Sequence, residues 1–64
     1  MVEGEVVESH KGRMYRIALD NDHEVLAYLG GRMSRRRIRI APGDRVRVEL
    51  SAYDLKRGRI TYRL

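Results

Sequence analysis

Residues 15–29 read YRIALDNDHEVLAYL, two runs of alternating apolar and polar side chains around a polar centre. Alternation with a period of two is typical of strands that bury one face. The inward positions are Tyr15, Ile17 and Leu19 in the first run, and Val25, Ala27 and Leu29 in the second. Asp20–His23 favours a tight turn, because Asn and Asp tolerate left-handed backbone and bond their own main chain. The segment is therefore predicted to form a β-hairpin.

Three further strands are predicted around this hairpin. Glu3–Glu8 forms the first, and Ser9–Gly12 a turn after it. Pro42 and Gly43 lie in a strong turn before the fourth strand. The inward residues of the last two strands are expected to be Val46, Val48, Leu50, Ile60, Tyr62 and Leu64. Lys56–Gly58 is interpreted as a turn, and Tyr53 as a partly buried ring that closes one end of the fold.

Five short strands with one insertion between the third and the fourth predict an all-β, five-stranded oligonucleotide-binding barrel (OB-fold). An SH3-like barrel has a similar strand count and is the structural alternative. The insertion is too short for a long helix, but Met33–Arg36 has room for one short helical turn. With no linker or repeat, residues 1–64 are expected to form a single domain.

Positive charge is concentrated in the second half of the chain. Residues 1–30 carry six acids against three bases, whereas residues 31–64 carry eleven bases against three acids. Within 32–39 there are five arginines and no acid, and Gly30 and Gly31 precede them. Arginine suits phosphate oxygens and stacks on bases. This loop therefore indicates a nucleic-acid contact, the alternative being a solvated charged face.

The outward faces of the predicted strands offer further candidates. Arg16 and Tyr28 would place a cation and an aromatic ring where such barrels bind bases. Arg45, Arg47, Arg59 and Arg63 lie on outward positions of the last two strands, where a phosphate contact and a solvated face are equally compatible with the pattern. With no Phe and no Trp in the chain, an extended stacking platform is not expected.

Several functional classes find no support in the sequence. There is no Cys, and His10 and His23 both fall in predicted turns, so neither a metal site nor a cofactor is expected. No nucleophile–base–acid or paired-carboxylate pattern favours an enzyme. No apolar run approaches the ~20 residues of a membrane span, and no signal pattern opens the chain. A cytoplasmic, monomeric binding protein is the expectation.

The chain resembles the bacterial translation initiation factor 1 family over nearly its whole length. The shared motifs are GEVVE at residues 4–8, MYR at 14–16, NDH at 21–23, GRM at 31–33, IRI at 38–40, PGD at 42–44, VEL at 48–50, YDL at 53–55 and RGRI at 57–60. The resemblance implies an S1-like barrel in the A site of the small (30S) ribosomal subunit. There the family contacts 16S ribosomal RNA and a neighbouring ribosomal protein and supports initiation factors two and three.

The resemblance also assigns roles within the loop. The family's main RNA contacts follow strand three, and its basic residues there match Arg32, Arg35 and Arg36. The complete set of rRNA-binding candidates is Arg16, Tyr28, Arg32, Met33, Arg35, Arg36, Arg37, Arg39 and Arg59. Tyr28 replaces a typical His, so its stacking role is not inherited. Two alternatives are a general single-stranded RNA-binding or RNA-chaperone barrel and a protein-interaction barrel with an acidic partner.

Overall fold

The computed structural model describes residues 1–31 and 39–64. Five strands form a closed barrel in the order β1-β2-β3-β5-β4, in which β4 returns to pair with β1. Their bounds are β1 Val2–His10, β2 Met14–Leu19, β3 Glu24–Leu29, β4 Arg45–Leu50 and β5 Arg57–Arg63. The predicted all-β five-stranded barrel is confirmed. The helical turn predicted at Met33–Arg36 lies outside the described residues.

The predicted hairpin joins β2 to β3. Its strands pair in antiparallel register from Met14 opposite Tyr28 to Ala18 opposite Glu24. Asp22 adopts a φ of 68°, a left-handed conformation that Asp tolerates. The amide of His23 donates to Asn21 Oδ1 at 3.2 Å. The turn chemistry therefore fixes the register that puts all six predicted apolar side chains on one face.

β1 is longer than the sequence suggested. It continues through His10, so Ser9 and His10 belong to the strand, and the turn spans residues 11–13. The strand pairs with both β2 and β4, and Gly4 and Glu5 take part in both pairings. A Cβ at Gly4 would approach the Ala18 carbonyl oxygen to 2.6 Å. Glycine at this position therefore allows β2 to pack closely against β1.

The barrel interior is filled by apolar side chains from every strand. Ile17, Val48 and Ile60 are fully buried, as predicted. The whole buried set is Val6, Tyr15, Ile17, Leu19, Val25, Ala27, Ile40, Val46, Val48 and Ile60. Among the described residues, no buried polar or charged side chain interrupts this core. Apolar packing and the backbone ladder therefore hold the domain together.

The inward orientation predicted for Tyr62 and Leu64 is wrong. On β4, Arg47 and Val48 are consecutive, but their partners on β5 are Tyr62 and Ile60, which leaves Thr61 as an additional residue in a β-bulge. The bulge reverses the alternation, so Tyr62 and Leu64 are 49% and 54% exposed. The guanidinium of Arg47 lies 5.6 Å from the centroid of the Tyr62 ring.

The turn predicted at Lys56–Gly58 is also displaced. Arg57 and Gly58 are part of β5, and they pair in parallel with Leu26 and Ala27 of β3. Gly58 is buried against β4, where a Cβ would meet Val48 Cγ1 at 2.7 Å. Gly58, which the sequence pattern assigned to a turn, therefore allows β4 and β5 to approach each other closely.

Candidate nucleic-acid interface

The predicted site residues fall into two groups. Four of them have described positions and form part of the barrel's outer surface or the end of the loop: Arg16, Tyr28, Arg39 and Arg59. The other five lie outside the described residues, so their predicted role stays a prediction: Arg32, Met33, Arg35, Arg36 and Arg37.

Both described ends of the arginine-rich loop are bonded to β5. At the first end, the amide of Gly30 donates to the Ile60 carbonyl at 3.0 Å. At the second, Arg63 Nη1 donates to the Arg39 carbonyl at 2.9 Å, and Ile40 then enters the core. The loop therefore starts and finishes beside the same strand. In the sequence, Arg63 was a candidate only for its charge. In the structure, its hydrogen bond positions the second end of the loop.

A row of three outward side chains crosses the barrel next to this loop. Tyr28 of β3 is in register with Arg59 of β5, which is in register with Glu49 of β4. The Tyr28 side chain is about half exposed, and Met14 of β2 lies opposite it. The row offers an aromatic face and a guanidinium, the two groups that commonly contact an unpaired nucleotide.

The β4–β5 connection presents a second aromatic ring. Ser51 Oγ accepts hydrogen bonds from the amides of Tyr53 and Asp54 at 3.1 and 3.2 Å, and Asp54 Oδ1 accepts from the amide of Lys56 at 2.9 Å. These bonds fold the connection into a compact turn. Its Tyr53 side chain is fully exposed, so the prediction of a partly buried ring is wrong. Asp54 is therefore a turn residue.

Both tyrosines help to line an open groove of about 450 Å³. Its lining residues are Tyr28, Glu49, Leu50, Ser51, Ala52, Tyr53, Arg57, Gly58 and Arg59. The groove combines two exposed aromatic rings with two arginines and one acid. The sequence pattern indicated only turn or strand positions for Tyr53, Arg57 and Glu49. Their proximity to Tyr28 depends on the pairing of β3 with β5.

Arg16 occupies a different part of the surface. It faces outward on β2 opposite Leu26, two register positions from the pair of Met14 and Tyr28. Its guanidinium lies 3.4 Å from Glu8 Oε2 and 3.8 Å from Glu24 Oε1. The Arg16 Nε is enclosed and has no hydrogen-bond partner in the part of the chain that the structure describes. Arg16 and Tyr28 thus share a face as diagonal neighbours, with Arg16 turned toward acids.

Carboxylates neutralise much of the charge on the strands. Five strand arginines each lie within 4 Å of a carboxylate oxygen: Arg16, Arg45, Arg47, Arg57 and Arg59. These pairs are solvent-exposed and individually weak. The arginine-rich loop differs, since residues 30–40 contain no acid at all. The sequence therefore gives the loop an excess of positive charge that the strand faces lack.

The described ranges, 1–31 and 39–64, contain neither a metal-binding cluster nor a membrane-spanning helix. No cluster of three or more His, Cys, Asp or Glu side chains there is arranged to hold a metal ion. No helix in the same ranges is long and apolar enough to cross a membrane. His10 instead lies against an acid, with its Nε2 2.7 Å from Glu8 Oε1.

The closed barrel, its strand order and its basic, aromatic outer surface define an oligonucleotide-binding fold. The family model described as translation initiation factor 1A / IF-1 matches residues 1–64. The chain belongs to the translation initiation factor 1A / IF-1 family.

Two solved structures are similar to this chain. The solution structure of translation initiation factor 1 from the Wolbachia endosymbiont strain TRS of Brugia malayi has 46% sequence identity and a TM-score of 0.79. That match covers 98% of this chain and 75% of the other. The crystal structure of YjeQ from Thermotoga maritima has 25% identity and the same TM-score, and covers 98% of this chain but 22% of that one. A similar barrel thus occurs as a small part of a longer protein.

Proposed function

We propose that this initiation-factor family member binds the A site of the small ribosomal subunit through contacts with 16S ribosomal RNA. The observation that carries the proposal is the acid-free arginine loop, whose described ends are both bonded to β5 beside the Tyr28–Arg59 row. Phosphate contacts by such arginines supply affinity, and aromatic or arginine stacking on an unpaired base adds to it. The family membership supports the ribosome as the target.

In this proposal the site residues have distinct roles. Arg32, Arg35, Arg36, Arg37 and Arg39 contact phosphates, while Met33 provides an apolar contact within the same loop. The second contact region is formed by Arg16, Tyr28 and Arg59. The protein acts as one domain, residues 1–64, and as a cytoplasmic monomer without catalytic activity or a cofactor. A neighbouring ribosomal protein and initiation factors two and three are its functional partners.

The experiment compares two pairs of charge deletions. Arg35→Ala with Arg36→Ala removes two charges from the loop, and Lys11→Ala with Lys56→Ala removes two from separate turns of the barrel. Lys11 and Lys56 are both exposed and lie outside the groove. Since charge-assisted contacts contribute about 1.5–3 kcal/mol each, the loop variant should bind purified small subunits at least about tenfold more weakly.

The control variant should lose much less affinity, and both should keep the melting temperature of the parent. Equal losses in the two variants at unchanged melting would mean that net charge, and not the loop, determines binding. Competition with an A-site ligand then tests the location. An A-site ligand that leaves binding of the parent protein unaffected would contradict the A-site assignment.

A second candidate function is general binding of single-stranded RNA. The groove lined by Tyr28 and Tyr53 favours it. Two exposed rings with neighbouring arginines suit unpaired bases of any sequence. Binding to an unstructured oligonucleotide as tight as to the assembled subunit would favour this function over the ribosomal one.

A further inference from the structure

Glu49 stands out among the residues of the groove because it is the acid in direct contact with a predicted RNA-binding arginine. Its Oε1 accepts a hydrogen bond from Arg59 Nη2 at 2.6 Å. The two side chains are 49% and 43% exposed, so the pair is open to solvent. Tyr28 lies in register on the other side of Arg59. The order across the surface is therefore aromatic ring, cation, anion.

A carboxylate and a phosphate are alternative partners for the same guanidinium, since both accept its paired donors. An RNA phosphate that approaches Arg59 must displace Glu49 or remain near its negative charge, and either course costs binding free energy. The same phosphate approaching the arginine-rich loop meets no acid within residues 30–40. The loop's own sequence therefore contributes no acid that would impose this cost.

We propose that Glu49 is a specificity-determining residue that competes with RNA phosphate for Arg59. Glu49 weakens the binding of any RNA that reaches only the Tyr28–Arg59 surface. An RNA that also contacts the loop gains enough binding free energy from the acid-free arginines to offset the displacement of Glu49. Discrimination then comes from a penalty against the wrong partner as well as from contacts to the right one. The inference rests on the proposed RNA-binding function and concerns how the protein discriminates against unstructured RNA.

The test uses Glu49→Gln, which keeps the shape of the side chain and removes its charge. Asp22→Asn is the matched control, since it also removes one negative charge. Asp22 lies in the exposed β2–β3 turn at a φ of 68°, which Asn tolerates. The probes are a fluorescent twelve-nucleotide oligouridylate and purified small subunits, each titrated at several salt concentrations.

Glu49→Gln should bind the oligouridylate about two- to fivefold more tightly than the parent, as expected for release of one exposed ion pair. The slope of log affinity against log salt should become steeper by about 0.7, one added phosphate contact on a single strand. Binding to the subunit should change less, so the preference for the subunit falls. Asp22→Asn should show a smaller gain and an unchanged slope.

Equal gains for Glu49→Gln and Asp22→Asn would overturn the proposal, and so would a loss of oligouridylate affinity in Glu49→Gln. Arg59→Ala supplies an independent measurement. In that background, Glu49→Gln should have no more effect than the charge control, and a persistent gain would show that Glu49 acts without Arg59. Failure of the parent protein to bind the subunit is a separate outcome, which refutes the proposed function while the oligouridylate comparison still decides the role of Glu49.

Discussion

Arg45 of β4 binds Asp20 at the start of the β2–β3 turn through two hydrogen bonds. Arg45 Nη1 donates to Asp20 Oδ1 at 3.0 Å and Nη2 donates to Oδ2 at 2.9 Å. Glu3 of β1 lies between the two elements, with its Oε1 3.9 Å from Arg45 Nη2. The hydrogen bonds and charge of Arg45 hold the pKa of Asp20 below its ordinary value. The pair therefore links the hairpin turn to the strand on the far side of β1.

Replacing Asp20 with Asn should lower stability in a pH-dependent way. Because the folded-state pKa of Asp20 is depressed, its contribution is present above the unfolded pKa of about 3.9 and is lost as the pH falls through the folded value. Asp20→Asn should therefore melt at a lower temperature than the parent at pH 7, and the gap should close in strong acid. Arg45→Gln should follow the same profile. A gap that persists at the lowest pH would exclude the ion pair as its cause.

Truncation of one buried side chain of β5 should unfold or nearly unfold the domain. Ile60 is fully buried between Leu29 and Val48, and Ile60→Ala should cost about 2–4 kcal/mol. A domain of this size holds only about 3–5 kcal/mol in total. Leu64→Ala is the control, since Leu64 is exposed beyond the bulge and should change the free energy of unfolding in urea by less than about 1 kcal/mol. Similar losses of stability in both variants would mean that Leu64 is inward, as the unbroken alternation predicted, and would contradict the bulge.

A methyl group at Gly58 should be poorly tolerated. The added Cβ would lie 2.7 Å from Val48 Cγ1 and 2.9 Å from the Glu49 carbonyl oxygen, so β4 and β5 would have to separate. Gly58→Ala should cost about 1–3 kcal/mol, the usual penalty for overpacking. At Gly31 none of the described atoms lies within 4 Å of a Cβ, which makes Gly31→Ala the matched control. Thermal melting of both variants checks the difference.

The salt dependence of subunit binding should report the number of phosphate contacts. If the five loop arginines make roughly three to five contacts, log affinity should fall linearly with log salt by about 0.7–0.9 for each. Arg35→Ala with Arg36→Ala should reduce the slope by about two such contacts. Titrations at constant magnesium concentration separate this effect from subunit stability. A flat dependence in the parent would contradict the electrostatic role of the loop.

Local pattern was sufficient for most of the fold. The alternation from Tyr15 to Leu29 and the turn chemistry at Asp20–His23 both act over a few residues, so they predicted β2, β3 and their buried faces correctly. The bulge at Thr61 could not be predicted from local alternation. Residues 60–64 alternate as regularly as β2 does, and only the pairing with Arg47 and Val48 shows that the pattern is interrupted.

The candidate site was predicted in composition but not in arrangement. The loop arginines were evident from their density in the sequence. The contact between Glu49 and Arg59, and the shared groove of Tyr28 and Tyr53, depend on β5 lying between β3 and β4. Nothing local in the sequence specifies that order, because it is a consequence of barrel closure. Tyr53 in particular was expected to be buried, whereas the Ser51 turn holds it in solvent.

The position of β5 also sets when this domain can fold during its own synthesis. β5 is the last strand in chain order, yet it fills the gap between β3 and β4 and is paired to both. Until residues 57–63 have emerged, a nascent chain presents two unpaired strand edges and an uncovered apolar interior. Open edges of this kind invite pairing with other chains. Cooperative folding must therefore wait for the final strand, and a chain released before that point would be prone to aggregate.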